Sequence, residues 1–173
     1  MVGVVRPNQI RLEQPGDMVA VRETNEQAFG TAAEARLVDR LRDSSECISL
    51  VATIGDRVVG HILFTPVSIE PATAVRVAGL APMSVRPEHQ RAGIGSELVR
   101  AGLEECRRRG YAAVVLVGHR EFYPRFGFVP GHTKGLECEF PVPPEVFMAL
   151  ELNVGALAGV AGLVRYRPEF SDA

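Results

Sequence analysis

A chain of 173 residues, 46% hydrophobic and 23% charged, has the make-up of one ordinary globular domain, long enough to bury a core without disulfides or metals. Its formal net charge of −2 excludes a global attraction to nucleic acid or to an anionic membrane surface. The cysteines, Cys47, Cys106 and Cys138, are odd in number and lack a C-x-x-C spacing, so they read as reduced thiols of a cytosolic protein and not as a disulfide framework or metal site.

Residues 1–8 read as a frayed end, without the apolar run of a signal peptide. Val154 to Val164, the longest nearly apolar run, is too short and too glycine-rich to span a bilayer. Gln9 to Gln14 alternates apolar and polar side chains and predicts a first strand. Pro15-Gly16-Asp17 breaks it. Asp17 predicts the N-cap of a helix through Ala28, with Met18, Val21 and Ala28 on its inner face. Gly30 ends that helix, and a second runs from about Ala32 to Arg42, turning Ala35, Leu37, Val38 and Leu41 toward the core. Ile48 to Ile54 and Val58 to Thr65 are β-rich runs joined by Gly55-Asp56, a hairpin turn signal. A longer loop with Pro66 and Pro71 leads into Val75 to Val85, which reads as a strand. Pro82 inside it has no N–H for a sheet ladder, so it belongs at an edge, a bulge or a break in pairing.

The centre of the chain is Gln90-Arg91-Ala92-Gly93-Ile94-Gly95. It lies between that strand and a helix, Gly95 to Arg109, which is followed by a fully apolar strand, Ala112 to Val117. Strand, glycine loop, helix and strand make a βαβ unit with a right-handed crossover. Glycines let backbone N–H groups converge, and the first helical turn adds unpaired donors and a positive dipole end. Such a loop suits a phosphate or pyrophosphate; the blander reading is a tight turn entering a helix. It is not a P-loop, which needs Gly-Lys-Ser/Thr, nor a dinucleotide fingerprint, whose third glycine is replaced by Leu98. Along the helix, Ile94, Leu98, Gly102 and Cys106, flanked by Val99 and Leu103, form one apolar stripe. Glu104 with Arg108 and Glu105 with Arg109 are favourable pairs. Arg107, Arg108 and Arg109, ahead of Gly110, read as helix-end chemistry and not as a nucleic-acid patch. Arg91 adds a positive side chain at the loop mouth.

The apolar strand ends at Gly118-His119-Arg120. Phe122, Tyr123, Phe126 and Phe128 read as an aromatic core cluster, and Pro124 suits the first turn of a short helix. Thr133 to Pro144 reads as loop, Val146 to Leu152 as a strand, Gly155 to Ala161 as a short helical turn, and Leu163 to Arg167 as a last edge strand.

The segment from Ser84 to Ser96 closely resembles motif A of the GCN5-related N-acetyltransferase (GNAT) family. Phe122-Tyr123-Pro124-Arg125-Phe126-Gly127-Phe128 is similar to that family's FYxxxGF segment, at the expected distance. Phe147 to Leu152 and Gly155-Ala156-Leu157 are similar to a YhbS-like bacterial branch. The resemblance runs from about Arg11 to Phe170, most strongly over residues 75–130. It implies an α+β fold: a mixed, mostly antiparallel sheet of about seven strands with helices on both faces, its fourth and fifth strands splayed. It also implies a single domain over 1–173, with a core at 9–130 and an extension, 131–173, that completes the sheet and rims an acceptor pocket.

The resemblance further implies acetyl-CoA as cosubstrate. Its pantetheine arm would lie in the wedge against Met83, Ser84 and Val85. Its diphosphate would lie on Gln90, Arg91, Ala92, Gly93, Ile94, Gly95 and Ser96, with Phe122 and Tyr123 beside the thioester. The Met83 N–H is the implied oxyanion donor. Tyr123 is implied to protonate the departing thiolate, and a phenol with a pKa of about 10 keeps its proton at neutral pH. The asparagine that many members carry just before the FY helix is absent here, and no residue is assigned its role. The implied reaction is direct acetyl transfer to a primary amine of a small molecule or peptide in a ternary complex, by a cytoplasmic bacterial monomer or homodimer without metal, membrane or nucleic-acid partner. Glu26, His61, Glu70 and His119 are candidates for taking the amine proton. Glu23 and Glu26 also read as acceptor contacts, although exposed helix carboxylates are usually only solvated. Alternatives are a non-catalytic acyl-CoA-binding regulatory module, or an acyltransferase using a longer acyl-CoA or a protein or tRNA acceptor. Thiol release on adding amines separates enzyme from module, and binding of an acyl-CoA series settles chain length.

Overall fold

Strand β3, Arg57–Glu70, is the member around which the sheet assembles. The computed structural model describes residues 7–43 and 46–172; the expected frayed end lies outside them except for Pro7 and Asn8, and Asn8 is tied down, donating its N–H to Thr53 O at 2.7 Å. β3 pairs antiparallel with β2 (Ile48–Ile54) and β4 (Val77–Val85), and β2 pairs with β1 (Gln9–Leu12). β4 then pairs parallel with β5 (Ala113–Val117), whose far edge takes β8 (Phe147–Glu151), which in turn takes β6 (Val129–Pro130). Beyond β2, β3 pairs with β9 (Gly162–Arg165), which also pairs parallel with β7 (Leu136–Cys138). The described residues thus form nine strands, two more than expected from the sequence.

Of the loop expected with Pro66 and Pro71, the first part, Pro66 included, lies inside β3, and only residues 71–76 are loop. Pro66, with no N–H to offer, falls in the gap between the last β2 partner, Phe64, and the first β9 partner, Ser68. β7 forms within the segment expected to be loop. β9 is not an edge strand, since it has partners on both sides.

Helix α3, Ile94–Arg108, covers one face of the sheet. Its stripe of Ile94, Leu98, Val99, Leu103 and Cys106 is buried against Ile62, Phe64, Leu80, Val114 and Leu116, each large side chain contributing about 1.5–3 kcal/mol. Gly102 belongs to the stripe because a Cβ there would lie 2.3 Å from Phe64 Cε2. The helix ends as expected at Gly110, with Tyr111 N–H donating to Cys106 O at 3.0 Å. Its terminal arginines pair as Arg107 with Glu104 and as Arg108 and Arg109 with Glu105, so Arg108 takes Glu105 and not Glu104.

Helices α1 (Met18–Phe29) and α2 (Ala33–Leu41) cover the other face, burying Val21, Leu37, Val38 and Leu41 on Val51, Val58 and Leu63. Two expectations for α1 are corrected. Met18 is 41% exposed, not inward. Asp17 does not cap α1 through its side chain: its carboxylate accepts from Arg11 at 2.7 and 3.0 Å and from Gln14 N–H at 2.7 Å, holding the preceding turn instead.

Candidate active site

The β4–β5 ladder is short. Val77, Ala78 and Gly79 pair with Ala113, Val114 and Val115, and there the paired register stops. β4 continues to Val85 along β3, while β5 continues to Val117 along β8. The two strands therefore part like a wedge. At the same level β4 carries a bulge: Phe64 faces Leu80 and Ile62 faces Met83, leaving Ala81 and Pro82 against Leu63 alone.

Strand alternation decides which backbone groups face the gap. Arg86 N–H donates to Val59 O of β3 at 2.8 Å. Ser84, two residues earlier, turns the same way, and Met83 and Val85 turn their N–H groups to the open side. Consistent with this, Val85 O accepts from the Gln90 side-chain amide nitrogen Nε2 at 2.9 Å. The Ser84 hydroxyl is buried on the α1 side, beside the β3 position of His61. Arg86, only 3% exposed, ties the strand end in place: its Nε donates to Val58 O at 2.8 Å and its NH2 reaches Ala20 O at 3.4 Å and Glu23 at 3.5 Å. Sequence reading passed over Arg86, since its neighbours Pro87 and the glycine loop dominate the local pattern.

The loop after β4 bends sharply. Arg91 has φ 61° and Gly93 φ 89°, both left-handed, and Gly93 is the N-cap of α3. The left-handed form is unfavourable for arginine; it bends the chain into the N-terminal end of α3, where Glu97 N–H makes the first helical bond, to Gly93 O, and the amides of Ile94, Gly95 and Ser96 precede it without an acceptor inside the helix. A Cβ on Gly95 would lie 3.4 Å from Met83 Cε and 3.8 Å from Phe122 Cζ, so loop, wedge strand and aromatic segment meet at this point.

Tyr123 is 8% exposed, edge-on to Phe122 (centroids 4.9 Å apart) and to Phe128 (5.8 Å). Burial pushes its phenol up to about 12. Gly118, at the end of β5, was not singled out from the sequence, yet a Cβ there would sit 2.6 Å from Tyr123 Cε2. Its small size is what lets the ring approach.

The four candidate bases scatter. His61 is fully buried and both ring nitrogens are engaged: Asn25 Nδ2 lies 3.2 Å from Nδ1 and Ser49 Oγ 2.8 Å from Nε2. Burial, with Arg42 nearby, pushes its pKa down to about 3. Glu70 is ion-paired to Arg165 at 2.8 Å. It lies eight residues along β3 from Ile62, the partner of Met83, about 26 Å of strand. Both are thereby removed from the wedge. Glu26 is half-buried on α1, and His119 is exposed just after β5. Glu23 holds Arg86.

Residues 9–131 match the family model of the acetyltransferase (GNAT) domain. The uncharacterized N-acetyltransferase YhbS of Escherichia coli K12 is 35% identical over 164 residues, covering 94% of this chain and 98% of its own. Its crystal structure in complex with CoA superimposes with a TM-score of 0.91 at 33% identity, covering 99% of this chain and 96% of that one. A GNAT family acetyltransferase from Brucella melitensis in complex with acetyl-CoA gives a TM-score of 0.78 at 34% identity, covering 94% and 97%. Among the described residues, no helix is long and apolar enough to cross a membrane.

Proposed function

This chain belongs to the GNAT acetyltransferase family, and we propose that it transfers an acetyl group from acetyl-CoA to a primary amine of a small molecule or peptide. It is an acyltransferase with acetyl-CoA as cosubstrate. The observation that carries the finer reading is the ladder that stops at Gly79 and Val115, with the Met83 and Val85 N–H groups turned to the open side beyond it and a glycine loop next in the chain. In this reading Met83 and Val85 receive the pantetheine arm as an added strand, while Ser84 only spaces them. The amides from Arg91 to Ser96 take the diphosphate, with Gln90 fastening that loop to the strand edge and Phe122 packed beneath.

The amine, mostly protonated at neutral pH, first loses a proton, for which Glu26 and His119 remain the candidates. It then attacks the thioester carbonyl. The Met83 N–H stabilises the oxygen as it gains charge, a contribution of about 3–4 kcal/mol for one such donor. Tyr123 donates to the sulfur as the C–S bond breaks. A phenol pushed up to about 12 stays protonated throughout the working range. It also holds its proton more tightly than a free thiol with a pKa near 8.5, so hydrogen-bond donation to the developing thiolate is its main contribution, with full transfer lagging behind. We further propose that residues 1–173 act as one domain, in the bacterial cytoplasm, as a monomer or homodimer.

The test is release of coenzyme A thiol on mixing the protein, acetyl-CoA and a panel of primary amines, alongside an NMR titration with coenzyme A. The reading expects amine-dependent thiol release and shifts of the amides of Met83, Val85 and residues 91–96. Unmoved loop amides at saturating coenzyme A would overturn it.

A further inference from the structure

Beside the loop and the first turn of α3, to which the proposed function gives the diphosphate, two further arginines are held on aromatic rings. Arg125 lies with Cζ 4.6 Å over the Phe122 ring and donates from Nε to Phe122 O at 2.9 Å. Arg100 lies with Cζ 5.2 Å over the Phe126 ring. The two rings are themselves in contact edge to face, centroids 5.2 Å apart, and Phe122 touches the Gly95 position. Both guanidinium groups are exposed. Among the described residues, neither they nor Arg91 and Arg120 have a carboxylate within ion-pair distance, whereas the arginines at the opposite end of α3 all do. In a chain of net charge −2, this is a local cationic sector built on an aromatic platform.

Stacking fixes a guanidinium without neutralising it and leaves its fork of N–H donors for a planar or tetrahedral anion. Arg100 is four residues beyond Ser96, about 6 Å along the helix. One ribose separates the 3′-phosphate of coenzyme A from its diphosphate, a span of the same order. That monoester carries roughly two negative charges at neutral pH. We propose that Arg100 and Arg125 form a subsite for the 3′-phosphate of coenzyme A, so that the protein discriminates coenzyme A from dephospho-coenzyme A. The inference rests on the coenzyme A site proposed above and adds a specificity to it.

Calorimetric titration of the full chain at low salt with coenzyme A and with dephospho-coenzyme A tests it. The wild type binds dephospho-coenzyme A about 10–100-fold more weakly. Arg100→Ala and Arg125→Ala each lower coenzyme A affinity about tenfold, the scale of one charge-assisted hydrogen bond, and leave dephospho-coenzyme A within about twofold. Arg100→Ala removes an exposed side chain that touches the fold through the Phe126 ring, and Arg125→Lys, which keeps the charge while losing the fork, is a milder change than Arg125→Ala and is expected to weaken coenzyme A selectively in the same way. Equal wild-type affinity for the two ligands overturns the subsite. So do variants that weaken both ligands alike, which is the signature of stacking on adenine. A wild type that binds neither ligand overturns the coenzyme A assignment itself, and the subsite with it.

Discussion

Acidifying the protein through the histidine range perturbs one buried group above all, His61. Its imidazole has no exposed surface, and the chain of contacts around it runs from Asn25 through His61 and Ser49 to Glu13, which Arg42 grips at 2.6 Å. Folded, its pKa is about 3; unfolded, it returns to about 6.5. Between those values the unfolded chain binds a proton that the folded chain refuses, so stability rises with pH across the window and falls on acidification. The slope approaches about 1.4 kcal/mol per pH unit once the pH is well below 6.5, so going from pH 7 to pH 5 removes about 2 kcal/mol, a sizeable part of the roughly 5–15 kcal/mol typical of a domain. Urea unfolding followed by circular dichroism at pH 7, 6 and 5 reads this directly. His61→Leu is less stable at pH 7, because Asn25 and Ser49 lose a partner, but its stability declines less between pH 7 and pH 5 by that same amount. Wild type and variant with parallel pH dependence would refute the reasoning. An imidazole that stays neutral to about pH 3 also takes no proton from a substrate amine, so the apparent pKa of the pH–rate profile is the same in His61→Leu as in the wild type.

Tyr123→Phe keeps the ring packing and is expected to lower kcat by roughly 10²-fold, about 2.7 kcal/mol of barrier, with coenzyme A affinity within twofold; equal kcat in a thiol-release assay with an accepted amine removes the proposed role. Since burial pushes that phenol up to about 12, the rate rises with amine deprotonation and shows no descending limb from Tyr123 below about pH 10; a limb that disappears in Tyr123→Phe would contradict this. Gly102→Ala drives a Cβ to 2.3 Å from the buried Phe64 ring, and overpacking of about 1–3 kcal/mol lowers Tm by roughly 3–10 °C; an unchanged melting curve would mean the ring yields freely. Asp17, whose pKa is lowered first by its bonds from Arg11, supports the fold at neutral pH and loses that support as the pH falls below about 4; Asp17→Asn is expected to flatten the acid limb of stability, and an unaltered limb counts against the pair.

Elements whose cause is local were legible in the chain. The 3.6-residue stripe of α3, its Gly110 stop, the apolar β5 and the Gly55-Asp56 hairpin each follow from neighbours within a few residues. The opening beside β4 was expected from the family resemblance, since Pro82 by itself admits an edge, a bulge or a break in pairing. What escaped depends on partners far along the chain. Pro66 looks like a strand breaker until one sees that β2 has ended and β9 has not begun at that point. Leu136–Cys138 has no strand pattern of its own and is extended because Gly162–Val164 lies alongside. Asp17 has the composition of a cap, but Arg11 claims its carboxylate. Within the candidate site, the loop from Gln90 to Ser96 and the Tyr123 segment stand out by residue type. The small size of Gly118 and the arginine-capped rings follow only from the approach of α3 to the segment after β5.

The insertion of β9 between β3 and β7 bears on how the chain comes into being. During translation, β2 to β5 and the glycine loop leave the ribosome long before Gly162–Arg165 is made. Until then Ser68, Ile69 and Glu70 present an unmet strand edge, the kind of surface that invites pairing with other chains. The nascent protein can therefore assemble the half that carries the glycine loop early while remaining sticky at the opposite end, and only β9 extinguishes that hazard.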